Sequence, residues 1–191
     1  MGNRKNVLLI MGSTRAGRVC PKNTAWIAQT GRGCTDLEYE LVDLAKWPLP
    51  MNDEPTIPAK GLPYAQAHTR AWSWKIKRAD AVVFLTPQYN WGYPAVVKNA
   101  IDHLYHEWRN KPAAIVTYGG HGGGKCAEQL RQVAGAVKMR LVPTVPGIWL
   151  PDSVIREDTG FDPGHDFESH VASIQSAFTE LSDQINATDS V

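Results

Sequence analysis

The chain has 191 residues, 43% hydrophobic and 20% charged, which fits one globular domain that buries a core without metal or disulfide support. Its formal net charge of +1 removes any general electrostatic argument for nucleic acid or an anionic membrane surface as a partner. Three scattered cysteines, Cys20, Cys34 and Cys126, exclude a disulfide framework and a cysteine-rich zinc site, and they fit a reducing, cytoplasmic compartment.

The first apolar run, Val7 to Met11, is too short to span a membrane and lacks the cleavage region of a signal peptide. It reads as a buried strand that feeds a turn at Gly12. Pro21 suits the first turn of a helix carrying Ala25, Trp26 and Ile27, which Gly31 and Gly33 are expected to stop. Leu37 to Leu44 forms a second strand, ending at Asp43. Ala45 to Pro63, with Pro48, Pro50, Pro55, Pro58 and Pro63, is expected to be irregular. Two readings stand side by side for it, a lid or partner surface and a rigid surface connection.

Ala79 to Thr86 is the third strand, and Pro94 opens a helix carrying Val96, Val97, Ala100, Ile101, Leu104, Tyr105 and Trp108. Pro112 to Tyr118 is the fourth strand, followed by a helical stripe of Cys126, Leu130, Val133, Ala134 and Val137. Arg140 to Val145 makes the fifth strand. A C-terminal amphipathic helix over about 166–186 carries Phe167, Val171, Ile174, Phe178, Leu181 and Ile185, with a polar, frayed tail behind it. Nearly continuous apolar strands are buried on both faces and pair in parallel. Strands and helices alternate about five times, so residues 1–191 are expected to form a single three-layer α/β/α sandwich.

Three loops following strands one, three and four are predicted to share the carboxyl edge of the sheet, where ligands of such sheets bind. Gly12-Ser13-Thr14-Arg15-Ala16-Gly17-Arg18 reads as an anion cradle of backbone amides, a helix N-terminus and arginines. Arg18 and Val19 stand where a P-loop needs its lysine and its Ser/Thr, so a phosphate monoester without metal fits better than a nucleoside triphosphate. The competing reading is a plain strand-to-helix turn. Pro87, Gln88, Tyr89, Asn90, Trp91, Gly92, Tyr93 and Pro94 form a stiffened platform on which Tyr89 and Trp91 can lie along a flat ring, against the alternative of ordinary packing aromatics. The run Tyr118 to Gly124, with its five glycines, suggests close approach of backbone to a ligand, against a flexible connection.

These residues resemble the NADPH-dependent FMN reductase family, flavodoxin-like flavoproteins that include quinone, azo and chromate reductases. The likeness runs from about Val7 to Leu150 on G-S-T-R-A-G-R, T-P-Q-Y-N-W-G-Y-P-A-V-V-K-N-A-I-D and T-Y-G-G-x-G-G, with little after Pro151. The resemblance implies a five-stranded parallel sheet of order 2-1-3-4-5. It implies that Ser13, Arg15 and Arg18 hold the FMN phosphate, that Pro87, Gln88, Tyr89 and Asn90 meet the isoalloxazine ring, and that Gly119 and Gly120 close on its other side. It also implies a homodimer or homotetramer. Two departures are visible: Arg18-Val19-Cys20-Pro21 replaces a Ser or Asn after the second glycine, so that Arg18 or Asn23 takes over that contact, and Gln88 replaces a frequent glutamate.

The expected activity is FMN-dependent NAD(P)H oxidation, with electrons passed to a quinone, free flavin or another small acceptor. No dedicated catalytic residue is expected, because the flavin carries the chemistry. The alternatives are a non-catalytic flavodoxin-type electron carrier and a redox-dependent interaction protein. His121 reads as a solvated loop residue and Cys20 as an ordinary reduced thiol. Asp43 reads as a turn residue, Lys98 and Asn99 as helix architecture, and His103, His106 and Glu107 as a solvated helix face rather than metal ligands.

Overall fold

The computed structural model describes residues 4–47, 49–51, 53–156 and 162–188. Pro48 and the polar tail 189–191 lie outside them. Six strands form one sheet: β1 (Asn6–Met11), β2 (Glu38–Asp43), β3 (Ala81–Pro87), β4 (Pro112–Gly119), β5 (Arg140–Leu141) and β6 (Gly147–Trp149). The order is β2-β1-β3-β4-β5, all parallel, and β6 also pairs with β4.

Alternation along the strands decides the layers. Val7, Leu9 and Met11 of β1, Val83 and Leu85 of β3, and Val116 and Tyr118 of β4 belong to one buried cluster. Leu8, Ile10, Val82, Phe84, Ala113 and Ile115 belong to the other. The first face is covered by α1 (Cys20–Arg32), which supplies Ile27 and Ala28. The second is covered by α2 (Ala67–Lys77), α3 (Ala95–Asp102) and α4 (Gly124–Ala136), which supply Trp72, Ile76, Val97, Ile101, Leu130 and Ala134. Two short helices follow, α5 (Asp152–Arg156) and α6 (Pro163–Asp166). The long α7 (Val171–Thr188) then returns to the first face with Ile174, Phe178, Leu181 and Ile185.

Several expectations change in detail, each for a physical reason. Arg140 to Val145 is not one strand. Pro143 and Pro146 lack amide protons, and the pairing with β4 is split into the two-residue β5 and, after the break, β6. Gly31 does not stop α1: it lies inside the helix, where an added Cβ would come within 2.8 Å of Phe178 and Tyr39. The helix ends instead at Gly33.

The helix behind Pro94 closes at Asp102, short of Leu104, Tyr105 and Trp108. The indole of Trp72 donates to the Ala100 carbonyl at 2.8 Å, and that of Trp108 to the Ile101 carbonyl at 2.9 Å, which also accepts the Leu104 amide, so both indoles tie down the helix end. Phe167 precedes α7 rather than opening it. The helix α2, absent from the sequence reading, buries Thr69, Trp72, Ser73 and Ile76.

The proline-rich segment is fastened to the body. Asn99 Nδ2 donates to the Leu49 carbonyl and His103 Nε2 to the Pro50 carbonyl, each at 2.7 Å. The Glu54 carboxylate accepts the amides of Ala65 and Gln66 at 2.9 and 3.0 Å, in front of the positive end of α2. Of the two readings, these bonds favour the rigid connection.

Candidate functional site

In-register pairing makes the site. Met11 lies opposite Asp43 and Leu85, and Pro87 lies opposite Tyr118, so the carboxyl ends of four strands stop together. The loops that follow β1, β3 and β4 enclose a cleft of about 230 Å³. Ser13, Arg15, Gly17, Arg18 and Val19 form one wall, Pro87, Gln88 and Tyr89 a second, and Tyr118, Gly119 and Gly120 a third.

At the first wall, α1 starts at Cys20 with no side-chain cap and no acidic residue in its first turn. Its positive end is therefore unmasked, which favours an anion. Ser13 is fully buried and its Oγ lies 2.7 Å from the Tyr89 hydroxyl. The exposed Arg15 guanidinium stacks over the Tyr89 ring at 3.5 Å from its centroid. Arg18 donates through Nη2 to Asp43 Oδ2 at 2.7 Å, with both side chains largely buried, while its Nε is buried without a partner. Asp43 also accepts the Ala45 amide, so the expected turn role is joined by an ion pair. Asn23, also fully buried, has both side-chain polar atoms unpartnered. The Cys20 thiol is pushed up by burial, as befits an inert thiol.

The second wall is a tight turn in which Tyr89 and Gly92 exchange both backbone hydrogen bonds, at 2.8 and 3.0 Å. Asn90 and Trp91 turn the corner at φ 47° and 71°. The Gln88 amide is already bonded to the Tyr118 carbonyl, and Gln88 Oε1 accepts the Cys126 amide at the start of α4. Of the platform residues, Pro87, Gln88 and Tyr89 line the cleft. Asn90 and Trp91 do not, and Trp91 is 66% exposed.

The third loop has glycines for two reasons. Gly119 and Gly120 line the cleft. Gly122 and Gly123 instead need left-handed backbone, at φ 68° and 81°, and meet the protein itself. A Cβ on Gly123 would lie 2.7 Å from that of Thr117, whose hydroxyl donates to the Gly122 carbonyl. Those two serve the turn into α4 rather than a ligand.

The remaining wall escaped the sequence reading. Leu150, with Val154 and Ile155 of α5, closes the cleft, although the chain after Pro151 carried no visible signal. Apolar residues in a five-residue helix show no usable period. Tyr118 was visible as the last residue of the strand and the first of the third loop, with no role of its own. It is 3% exposed, its hydroxyl has no partner, and burial pushes its phenol far above the ordinary value.

Away from the cleft, His103 and Glu107 are buried rather than solvated, because the chain leaves the helix before them and folds back under α2. Ser73 and Tyr64 donate to the Glu107 carboxylate at 2.6 and 3.0 Å. Asp53, His68 and His103 bring ligand-type atoms within 4.8 Å of one another. Both His103 nitrogens are occupied, by the Pro50 carbonyl and the Thr69 hydroxyl, and His68 Nε2 lies 2.8 Å from Asp53 Oδ2. The group is a clasp on the proline-rich segment.

Residues 5–148 match the family model described as NADPH-dependent FMN reductase. A Schizosaccharomyces pombe protein named NAD(P)H-dependent FMN reductase is 52% identical over 177 residues, covering 92% of this chain and 88% of that one. The NAD(P)H-dependent FMN reductase LOT6 of Saccharomyces cerevisiae is 48% identical over 144 residues, 70% and 75% of the two chains. In fold, the flavoenzyme NAD(P)H:(acceptor) oxidoreductase FerB of Paracoccus denitrificans superposes with a TM-score of 0.72 at 22% identity, over 96% of this chain and 98% of that one. With three loops converging on the carboxyl edge of a flavodoxin-like sheet, the chain belongs to the NADPH-dependent FMN reductase family and is an NAD(P)H oxidoreductase that works with FMN.

Proposed function

We propose that the cleft seats FMN with its phosphate at Ser13, Arg15, Arg18 and the start of α1, and its ring between Pro87–Tyr89 and Gly119–Gly120. The observation that carries this reading is the convergence of a cationic loop, an aromatic turn and bare glycines on one cavity. The residues fit the group: Arg18 Nε and the Tyr118 hydroxyl are buried donors without partners, and the uncapped α1 suits a phosphate. Asn90 and Trp91 are not lining residues, and Trp91 sits at the rim of the platform.

When bound, FMN supplies the chemistry, taking a hydride from reduced nicotinamide and passing electrons to the acceptor. The lining side chains include no carboxylate, imidazole, amine or thiol, so the described cleft offers binding and orientation rather than a general acid or base near neutrality. Gln88, pinned to the start of α4, holds the platform in place, and the apolar Leu150, Val154 and Ile155 shield one side from water.

The acceptor is proposed to be a small diffusible molecule, a quinone or free flavin, in the cytoplasm. A homodimer or homotetramer is the proposed assembly, supported by exposed Trp91 and Trp149 at the same sheet edge. Anaerobic visible spectroscopy with added FMN tests the reading. Flavin bands should shift on binding and bleach with NADPH. Bound flavin that stays oxidised would favour an electron carrier, and absence of binding would refute the site.

A further inference from the structure

The Tyr118 ring belongs to the same buried cluster as Met11, Leu85 and Cys20, at the end of β4. Packing alone would be served by phenylalanine, which fills the same space without burying a hydroxyl. The tyrosine oxygen is nevertheless buried and makes no hydrogen bond. Its polar neighbours are the Ser13 hydroxyl and the Cys20 thiol, which flank the anion loop. Both lie near the phenol without hydrogen-bond geometry to it: Ser13 Oγ pairs with the Tyr89 hydroxyl, and the Cys20 sulfur is directed to the Leu85 carbonyl and the Thr24 hydroxyl. Tyr118 nonetheless lines the cleft. Burial pushes the phenol well above its ordinary value, so near neutrality the group is a donor, buried at the wall of the cleft.

We infer that the Tyr118 hydroxyl donates a hydrogen bond to an oxygen of the phosphoribityl tail of FMN, making Tyr118 a determinant of which flavins the cleft retains. The inference rests on the FMN reading above. The tail, rather than the ring, is indicated because Ser13 and Cys20 bracket the loop assigned to the phosphate.

The test is Tyr118→Phe, titrated by fluorescence with FMN, riboflavin and lumiflavin, which shares the ring but has no tail. FMN affinity should fall about tenfold, as for loss of one well-made hydrogen bond to a charged or strongly polar oxygen. Lumiflavin affinity should not change, which also shows that the variant keeps an intact site. A parallel loss for riboflavin assigns the bond to a ribityl oxygen, and no loss for riboflavin assigns it to the phosphate; both support the inference. Unchanged FMN affinity, or an equal loss for all three flavins, overturns it while the FMN reading stands. Failure of the unaltered protein to bind FMN removes that reading and the inference together.

Discussion

Replacing Arg18 separates the two tasks the structure gives it. Its guanidinium is 17% exposed and faces an Asp43 carboxylate that is 10% exposed, across 2.7 Å. Arg18→Gln strands that carboxylate in a nearly closed site. A fully buried orphaned charge costs about 3–5 kcal/mol. Asp43 retains the Ala45 amide and some solvent, so a loss of about 2 kcal/mol is expected. For a chain of this size that lowers the melting temperature by about 4–8 °C.

FMN affinity should fall about 10-fold or more, through loss of a charge-assisted donor. The double variant Arg18→Gln/Asp43→Asn removes the stranded charge. Differential scanning fluorimetry without flavin should then recover most of the lost stability, while flavin titration should show affinity still depressed. A single variant melting within about 1 °C of the parent would refute the ion-pair reasoning. A double variant that regains FMN affinity would refute the phosphate role of Arg18.

Gly123→Ala forces a side chain into left-handed backbone and 2.7 Å from Thr117 Cβ, so thermal melting should show a loss of about 2–3 kcal/mol. Gly31→Ala gains helix propensity of about 1 kcal/mol but crowds Phe178 and Tyr39; a lower melting temperature is expected, and a higher one would mean that the two rings yield. Burial pushes the Glu107 carboxyl up, but hydrogen bonds from Ser73 and Tyr64 and the Lys77 charge outweigh it and hold it below its ordinary value of 4.5. A depressed folded value gives stability that is fully present above the unfolded value and lost as pH falls through the folded one. The melting-temperature gap between the parent and Glu107→Gln should therefore narrow as pH drops below about 4.5, and a gap constant down to pH 3 would refute the assignment.

The layers of the fold were legible because β1, β3 and β4 are almost continuously apolar, as strands covered on both faces are. The loops were legible because glycine, proline and arginine leave marks at strand ends. Most of the first and second cleft walls, with Gly119 and Gly120, follow from that. Other features depend on contacts distant in sequence. The break at Pro143 and Pro146 was missed because an apolar run dominated the reading of that segment. The burial of His103 and Glu107 depends on where α3 stops, which two indoles from elsewhere in the chain help fix. The α2 stripe of Thr69, Trp72, Ser73 and Ile76 has helical spacing, but its two polar members hide it from an apolar count. Tyr118 opens the third loop in the sequence, but its side chain draws no notice until the hydroxyl is found buried without a partner.

The broken fifth strand also governs what the sheet can join. At one margin, β5 offers two residues before Pro143 and Pro146 interrupt the ladder. At the opposite margin, β2 exposes the carboxylates of Glu38 and Glu40, and Lys75 of α2 reaches over to Glu40. Proline interruption and charge are the devices by which sheets refuse further strands. A second copy of the chain meets a two-residue ladder at one margin and a charged strand at the other, which disfavours joining sheet to sheet and favours contact through helices and loops.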